Sequence, residues 1–345
     1  MKFRFLSILF FCTSLTFAQS IWKQLVRPFG GSIYSLAEVS DTLFIGTSDS
    51  GIWCFSEGDS TWHRIDDNKI INDVYSLKID SANNLYAGCA GNVYKLFLKS
   101  GYGNDSTVTP SKPNDKKKWE VLTEKPKDKM IYSIDFTKDN NVVFGTNDGI
   151  YELNHNDSIS TINNGLKNIC INYLYIDKYN TFYAGTVSGI FRSTDSGKNW
   201  EEISNGLQNG NIRIITKSEK GLLYAATHGG GVYLFDSTKN KWTNISNNKR
   251  FGIPNPYISG LVCDNDGNLF ASTYQFGVYY SKDNGRNWVK IGGDEFGRMI
   301  YSLFLSPNGK LYIGTFGSGV YVNDYFSKDS KKILGASVKN LIRSK

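Results

Sequence analysis

Short runs of alternating apolar and polar residues recur along the chain and predict β-strands. In residues 171–203 a first run, Ile171 to Ile176, alternates into a polar turn, and Phe182 to Thr186 forms a second run. A third run and a last polar turn follow, and they deliver Trp200 and Ile203 on a fourth. Runs of this length and composition indicate four hairpin-linked antiparallel strands. One sheet of this size cannot bury both of its faces and needs copies of itself on either side.

Copies of this unit recur from one end of the chain to the other. The residue that ends the second run is Thr in six copies and Cys in one, and successive markers lie roughly 40 to 57 residues apart, which is the blade-length period of a β-propeller. The markers are Thr47, Cys89, Thr146, Thr186, Thr227, Thr273 and Thr315. The sequence therefore predicts an all-β fold, a seven-bladed β-propeller of four-stranded antiparallel blades.

The fourth strand of most copies carries Trp followed three residues later by Ile or Leu. The third copy has Ile159 and Ile162 in its place, and the seventh copy has no such strand after Tyr321. The same pattern stands near the N-terminus, at Trp22 and Leu25. We therefore expect the N-terminal strand to complete the last blade and to close the ring by backbone pairing.

The two ends of the chain are predicted to lie outside the ring. Lys2 and Arg4 precede an apolar run, and small residues stand before Gln19, which is the pattern of a signal peptide over residues 1–18. The propeller then spans 19–326, with a solvated insertion from Ser100 to Lys118, and a basic tail spans 327–345. No later run is long enough to span a bilayer. We expect an extracytoplasmic monomer, secreted or periplasmic, with no transmembrane span.

The positive charge of the chain is confined to its ends. The formal net charge is +7. Lys2, Arg4 and the excess of Lys and Arg over Asp in residues 327–345 account for all of it. A neutral ring argues against a nucleic-acid groove, so no nucleic-acid partner is expected.

Histidine and cysteine usage predicts neither a metal site nor a cofactor. His63, His155 and His228 stand at unrelated blade positions, without the spacing of a zinc site. The cysteines that follow the predicted signal peptide occur in four different copies, and we expect buried thiols that act as small apolar residues. A disulfide between Cys54 and Cys89, in neighbouring copies, is the alternative.

Two turns carry the pattern Ser-x-Asp-x-Gly-x-x-Trp, from Ser193 to Trp200 and from Ser281 to Trp288. They resemble the Asp-box (BNR) repeat of sialidase-type propellers, xyloglucan-degrading glucanases and photosystem II stability/assembly factor-like proteins. The segments Tyr183 to Thr186 and Leu311 to Thr315 also look like the two-component regulator propeller repeat. A resemblance between repeats implies the fold and not a substrate. It also implies that the Asp of these turns is structural.

Sequence patterns for catalysis are incomplete. In the sialidases that the repeat resembles, the first Arg of the site stands in Arg-Ile-Pro, whereas this chain has Val26-Arg27-Pro28-Phe29. Glycosidases need two facing carboxylates, and the sequence does not show which acids face each other. We therefore assign no catalytic residue and expect an exported, non-enzymatic binding or scaffold propeller that recognises a glycan, peptide or protein partner. A carbohydrate-active hydrolase of sialidase or glucanase type is the alternative.

In a propeller, the loops from strand two to strand three and from strand four to the next blade gather on one face, around the mouth of the central channel. In the late copies and the N-terminal loop these loops combine Arg, His and aromatic residues, which can grip carboxylates and stack on sugars or side chains. Alternatively, the Phe residues plug the channel and the Arg residues cap loop carbonyls. The predicted ligand face comprises Arg27, Phe29, His228, Arg250, Phe251, Tyr274, Phe276, Phe296, Arg298 and Phe316.

Overall fold

The protein forms seven four-stranded antiparallel sheets, as predicted. The computed structural model describes residues 22–25, 31–56, 58, 60–66, 73–98, 119–123, 126–293, 296 and 299–324. The predicted signal peptide, the insertion from Ser100 to Lys118 and the basic tail therefore lie outside the described residues. No helix that could cross a membrane occurs in the part of the chain that the structure describes.

The strands are short, and most have two to six residues. Their bounds are β1 Trp22–Gln24, β2 Ile33–Val39, β3 Thr42–Thr47, β4 Ile52–Ser56, β5 Trp62–Arg64, β6 Ser76–Ile79, β7 Leu85–Gly88, β8 Val93–Leu96, β9 Trp119–Thr123, β10 Ile131–Phe136, β11 Val142–Thr146, β12 Gly149–Leu153, β13 Ile159–Thr161, β14 Ile171–Ile176, β15 Phe182–Thr186, β16 Ile190–Ser193, β17 Glu201–Glu202, β18 Ile212–Lys217, β19 Leu223–Thr227, β20 Gly231–Asp236, β21 Lys241–Asn244, β22 Ile258–Cys263, β23 Leu269–Thr273, β24 Gly277–Ser281, β25 Val289–Gly292, β26 Ile300–Leu305, β27 Leu311–Thr315 and β28 Val320–Asn323.

Blades 1 to 6 consist of consecutive strands, β2–β5, β6–β9, β10–β13, β14–β17, β18–β21 and β22–β25. The sheet of blade 7 has the order β1-β28-β27-β26, so its outer strand comes from the N-terminal segment. In the pairing of β1 with β28, Trp22 lies opposite Asn323 and Gln24 lies opposite Tyr321.

The first strands of the blades surround the central channel. Each of them contacts the first strand of the next blade, and β26 contacts β2. Serine hydroxyls cross some of these junctions: Ser302 Oγ donates to the Ile33 carbonyl oxygen at 2.9 Å and Ser133 Oγ to that of Leu174 at 3.4 Å. The seven blades thus form a ring, and their side chains are buried between neighbouring sheets.

The repeated Gly-Thr at the end of the second strand has a packing reason. A Cβ atom on Gly185 would lie 2.5 Å from Cγ2 of Ile212 in the next blade, so only glycine allows this close approach. The Thr186 hydroxyl donates to the Gly189 carbonyl oxygen at 3.0 Å and thereby holds the turn that leads to the third strand. The same bond forms at Thr47, Thr146, Thr227, Thr273 and Thr315.

The repeated Trp of the fourth strand links neighbouring blades. The indole N–H of Trp200 donates to the carbonyl oxygen of Ile162 in the preceding blade at 2.7 Å. Four further junctions carry this bond, with N···O distances of 2.6–3.0 Å: Trp22 to Ile291, Trp119 to Ile65, Trp242 to Ile203 and Trp288 to Ile245. The Trp residues are therefore both core residues and links between blades.

The two Ser-x-Asp-x-Gly-x-x-Trp turns join the third and fourth strands of blades 4 and 6. Asp195 accepts hydrogen bonds from the backbone and side-chain amides of Asn199 at 2.9 and 2.8 Å, and Ser193 Oγ accepts from the Gly197 N–H at 2.9 Å. Asp283 makes the equivalent bonds in blade 6. These bonds lower the pKa of Asp195 to about 2, so its carboxylate is ionised at neutral pH.

Cys54 and Cys89 are buried, as expected, whereas Cys170 and Cys263 are partly exposed. Cys54 and Cys89 belong to one apolar cluster between blades 1 and 2. The four cysteines of the described residues form no disulfide.

Candidate binding face around the channel mouth

An irregularity at the start of the first strand marks one residue in most blades, and these residues are partly exposed at the mouth of the channel except for Ser259, which is buried. In six blades the pairing of the first and second strands shifts register directly after the first residue. Such a bulge leaves an extra residue unpaired and redirects its side chain. The bulged residues and Tyr75, the equivalent residue of blade 2, are here called the mouth ring: Tyr34, Tyr75, Tyr132, Asn172, Arg213, Ser259 and Tyr301.

Four tyrosines of the mouth ring form a continuous aromatic arc. Tyr34 of blade 1 stacks on Tyr75 of blade 2, with ring centroids 5.7 Å apart and planes 14° apart. Tyr75 meets Tyr132 of blade 3 edge to face at 5.4 Å, and Tyr34 meets Tyr301 of blade 7 at 5.7 Å. Aromatic pairs in this geometry attract each other, so the arc is a preorganised surface of ring faces and edges.

Loop residues extend the arc to blades 5, 6 and 7. Tyr274 meets Tyr301 at 5.7 Å, and His228 meets Tyr274 at 5.5 Å and Tyr257 at 4.9 Å. The ring centroid of Phe316 lies 6.1 Å from that of Tyr301. The structure therefore brings together three residues of the predicted ligand face, namely His228, Tyr274 and Phe316.

Exposed apolar side chains also cluster on the loops of this face. Twelve large apolar side chains are exposed in the described residues, and seven of them lie on loops of this face. Their exposed fractions are 37–46%, and they come from the loops of blades 2 to 7. This apolar rim consists of Met130, Ile169, Val187, Tyr257, Phe276, Met299 and Phe316. Exposed apolar side chains that cluster on one face, rather than scatter singly, indicate an interaction surface.

The tyrosine hydroxyls of blades 1 and 2 lie beside carboxylates. Tyr75 Oη donates to Asp73 Oδ2 at 2.9 Å, and Asp73 Oδ1 accepts from the Asp49 N–H at 3.2 Å. Burial, with the negative charge of Asp73 in addition, raises the pKa of both Tyr34 and Tyr75. Both phenols therefore remain protonated at neutral pH and act as hydrogen-bond donors.

Arg213 stands on the opposite side of the mouth. Burial raises the pKa of Tyr132, and the charge of Arg213 opposes this rise. Because Tyr132 belongs to blade 3 and Arg213 to blade 5, this interaction crosses the mouth. Arg213 Nε is buried and has no hydrogen-bond partner. Burial, reinforced by the Arg213 charge, lowers the pKa of His228, so that imidazole is neutral at pH 7.

Several predicted site residues lie elsewhere. Phe296 is 1% exposed and packs between Trp22 and Tyr321 with centroid distances of 5.0 and 5.3 Å, so its prediction as a ligand-contacting residue is wrong. The Phe251 carbonyl oxygen accepts from the Trp288 N–H at 2.7 Å, which places this loop beside the outer strand of blade 6.

Arg250 lies over the ring of its neighbour Phe251, with 5.1 Å between its Cζ atom and the ring centroid. Both residues are exposed. Arg27, Phe29 and Arg298 lie outside the described residues.

The tyrosine arc is the feature that sequence reasoning missed, although a repeated signal exists. Four copies begin with the motif Ile/Val-Tyr-Ser-Leu/Ile, at Ile33, Val74, Ile131 and Ile300. Its Tyr is the mouth-ring residue. A Tyr that recurs at one position of four adjacent blades would have indicated an aromatic surface at the channel.

A cavity of about 210 Å³ opens on the opposite face, between blades 4 and 5. Its central polar groups already pair with each other, since Lys217 Nζ lies 2.7 Å from Asp177 Oδ2. Asp177 Oδ1 also accepts from the N–H groups of Tyr179 and Thr181, at 2.9 Å each. These groups hold the hairpin turn, and the cavity offers fewer unsatisfied groups than the mouth. No cluster of His, Cys, Asp and Glu in the described residues could hold a metal ion.

No protein-family model and no curated protein matches the sequence, but solved structures share its fold. The extracellular domain of a hybrid two-component system from B. thetaiotaomicron has a TM-score of 0.68 and 15% identity, over 88% of this chain and 39% of its own. Virginiamycin B lyase from Staphylococcus aureus has a TM-score of 0.68 and 13% identity, over 87% of this chain and 97% of its own. A GH74 enzyme from Niastella koreensis has a TM-score of 0.64 and 18% identity, over 88% of this chain and 53% of its own.

These similarities show the seven-bladed propeller fold and no more, because a shared fold at this identity does not imply a shared function. The chain spans only 39% of the length of the two-component structure.

Proposed function

We propose that this protein is an exported, non-enzymatic binding propeller that holds a partner against the face on which its channel opens. The observation that carries the proposal is that the mouth ring with its tyrosine arc and the apolar rim lie on the same face. The other five exposed large apolar side chains, Phe97, Val121, Tyr179, Phe251 and Val289, are divided among strands and other loops. Seven of the twelve that the described residues expose therefore lie on the mouth face, which supports one docking face.

Among glycan, peptide and protein, the composition of the face favours a polypeptide. The apolar rim includes Met130, Ile169, Val187 and Met299, which are aliphatic or thioether side chains and offer neither stacking planes nor hydrogen bonds to a sugar. Such side chains around an aromatic centre are typical of protein interfaces, in which aromatic residues and Met are enriched. The charged groups are distributed unequally over the face: Asp49 and Asp73 lie beside blades 1 and 2, and Arg213 lies on blade 5. A partner with complementary charges would therefore bind in one orientation.

Export is supported by the signal-peptide pattern of residues 1–18 and by the similarity to an extracellular domain. A hydrolase is the second possibility in principle, but two of the carboxylates near the mouth are already engaged. Asp73 accepts from Tyr75, and Asp148 Oδ2 lies 3.0 Å from Lys129 Nζ.

The experiment is a selection of a displayed random-peptide library on the purified protein, with a glycan array and an assay for product release in parallel. A mouth variant carries Phe276→Ser and Met299→Ser, and a matched control carries Tyr179→Ser on the opposite face. Selected peptides should bind the mouth variant roughly tenfold or more weakly, because exposed anchors of this kind contribute above 1 kcal/mol each. The control should bind them like the parent.

Peptides that bind both variants equally would show that the mouth face is not the docking surface. Glycans that bind at the mouth when no peptide is enriched would overturn the polypeptide assignment. Product release from any glycan would overturn the non-enzymatic assignment.

A further inference from the structure

We infer that Arg213 is an anchoring site for a carboxylate group of the partner, which enters the channel mouth opposite the tyrosine arc. This inference rests on the proposed function and names the chemistry of the group that is bound.

The position of Arg213 is set by the backbone. The pairing of β18 with β19 shifts register between Ile212 and Ile214, and Arg213 is the bulged residue. Equivalent bulges present Tyr34, Tyr132 and Tyr301 to the mouth, so the guanidinium group faces the same space. Its electrostatic interaction with Tyr132, two blades away, agrees with this placement.

The guanidinium group has donors that the protein does not use. Arg213 Nε is buried without a hydrogen-bond partner, and Arg213 takes part in none of the ion pairs found among the described residues. A buried donor without a partner costs free energy, so a structure that keeps one calls for an explanation. A ligand that accepts from Nε and the neighbouring Nη is such an explanation.

Neighbouring groups neither neutralise Arg213 nor compete with it. The His228 imidazole is neutral at pH 7 for the reasons given above. Asn172, the adjacent mouth-ring residue, already donates to Asn211 Oδ1 at 3.0 Å and to the Ile212 carbonyl oxygen at 2.9 Å. Deeper in the ring, Lys78 pairs with Asp135 at 3.1 Å, so that cation is compensated. Arg213 is therefore the uncompensated cation of the mouth ring.

The ligand group that fits is a singly charged carboxylate. The planar guanidinium fork matches the two oxygens of a carboxylate. A phosphate carries nearly twice the charge at neutral pH, whereas the mouth ring offers one cation. The tyrosine arc on the other side provides ring faces for a flat or apolar group attached to the carboxylate.

The inference is tested with two small probes of equal shape, 4-fluorobenzoate and 4-fluorobenzamide, titrated against the parent protein and followed by ¹⁹F NMR. The benzoate should bind at least about tenfold more tightly than the amide, since a hydrogen bond to a charged group contributes that order of stabilisation. Arg213→Gln should remove this difference, and Arg213→Lys should restore part of it. Arg192→Gln, in an ion pair with Glu201 outside the mouth, should leave it unchanged.

N-acetyltyrosine and galacturonate, titrated in the same way, distinguish a peptide carboxylate from a sugar carboxylate. Stronger binding of N-acetyltyrosine supports a polypeptide source. Stronger binding of galacturonate would keep the Arg213 site but overturn the polypeptide assignment. Thermal unfolding of each Arg213 variant shows whether the fold is intact, and Arg213→Lys serves if Arg213→Gln does not fold.

Equal affinity for the benzoate and the amide, or a benzoate affinity that Arg213→Gln leaves unchanged, would overturn the inference. Failure of the proposed function looks different. The mouth variant would then bind selected peptides like the parent, while the benzoate would still depend on Arg213.

Discussion

The junction between blades 4 and 5 and the junction between blades 7 and 1 are built from the same repeat, but they differ in how their buried polar groups are satisfied. Between blades 4 and 5, Trp242 Nε1 donates to the Ile203 carbonyl oxygen at 2.6 Å. In the same junction, Lys217 Nζ pairs with Asp177 at 2.7 Å. The side-chain groups that cross this junction therefore find partners.

Between blades 7 and 1, two buried side-chain atoms, Trp62 Nε1 and Glu38 Oε2, find no partner. Trp62 occupies the same position in blade 1 as Trp242 in blade 5, yet its Nε1 is buried without a hydrogen-bond partner. Glu38 accepts from Tyr312 Oη at 3.3 Å through Oε1, but its Oε2 is buried and unsatisfied. Asn308 Nδ2 donates to Asp41 Oδ1 at 2.8 Å, so the junction is closed although its bonding is incomplete.

The difference shows what a repeated sequence does and does not guarantee. In most junctions the acceptor of the Trp N–H belongs to the preceding blade, a short distance back along the chain. For Trp62 the equivalent acceptor belongs to Leu25, on the segment that follows β1. That segment is placed by pairing with β28 at the far end of the sequence, and the local repeat does not set its position.

The largest expected effect comes from removing the strand that completes blade 7. Deletion of residues 20–26 exposes the edge of β28 and removes the buried Trp22, whose burial alone contributes on the order of 3–5 kcal/mol. We expect aggregation or loss of cooperative thermal unfolding, measured by calorimetry and size-exclusion chromatography. A variant that lacks only residues 1–19, and therefore keeps β1, is the control. Equal melting of the two proteins would show that ring integrity does not depend on β1.

A smaller effect is expected from the matched pair Trp242→Phe and Trp62→Phe. Both changes remove part of an indole ring, but only the first breaks a hydrogen bond and leaves a buried carbonyl oxygen unsatisfied. Trp242→Phe should therefore lower the free energy of unfolding by about 1–3 kcal/mol more than Trp62→Phe does. Urea unfolding measures both values. If the two losses are equal, the indole N–H of Trp242 contributes nothing to the junction.

The smallest effect, and the one with a pH signature, concerns Glu38→Gln. Burial raises the pKa of Glu38 above its ordinary 4.5, against the opposing hydrogen bond from Tyr312 and the charge of Lys310. The folded protein thus binds the Glu38 proton more tightly than the unfolded chain does. This preference contributes its full stabilisation below pH 4.5, and the stabilisation is lost as pH rises through the pKa of Glu38 in the folded state. At pH 7 the variant should be more stable than the parent by about 1 kcal/mol, because the unsatisfied oxygen no longer carries charge.

This advantage should shrink as pH falls toward 4.5, in urea unfolding measured across the range. The contribution of Asp177 to stability has the opposite pH dependence. Burial would raise its pKa, but hydrogen bonds from Lys217 and Thr181 outweigh burial and lower it below 3.8. Its contribution is therefore present above that pH and lost as pH falls further. A Glu38→Gln advantage that is constant with pH would mean that the Glu38 carboxyl does not titrate differently in the folded state.

Most of the fold could be predicted from local patterns. The recurring Thr that ends the second strand, the alternating runs and the repeated Trp predict strands, turns and blade number because each blade must bury the same faces against its neighbours. The candidate site was predicted only in part. The structure places the predicted residues His228, Tyr274, Phe276 and Phe316 on one face because the loops of that face gather around the channel.

The remaining errors have physical causes. Tyr34 and Arg213 were missed because alternation assigns each residue to one side of a regular strand, whereas the bulge turns these two into the mouth. Arg250 and Phe251 lie on a loop that contacts the outer strand of blade 6, where the Phe251 carbonyl oxygen accepts from the Trp288 N–H. Phe296 is covered by Trp22, a residue almost the whole chain away.

The sequence by itself determined the repeat, the strands within it and the residues that must be buried, since these depend on neighbours within one blade or the next. Only the tertiary structure decided which residues line the mouth, which loop residues remain exposed around it, and which indole N–H groups find an acceptor. These properties depend on where seven sheets stand after the ring has closed. That closure joins residues from opposite ends of the chain, and no local pattern encodes their final distances.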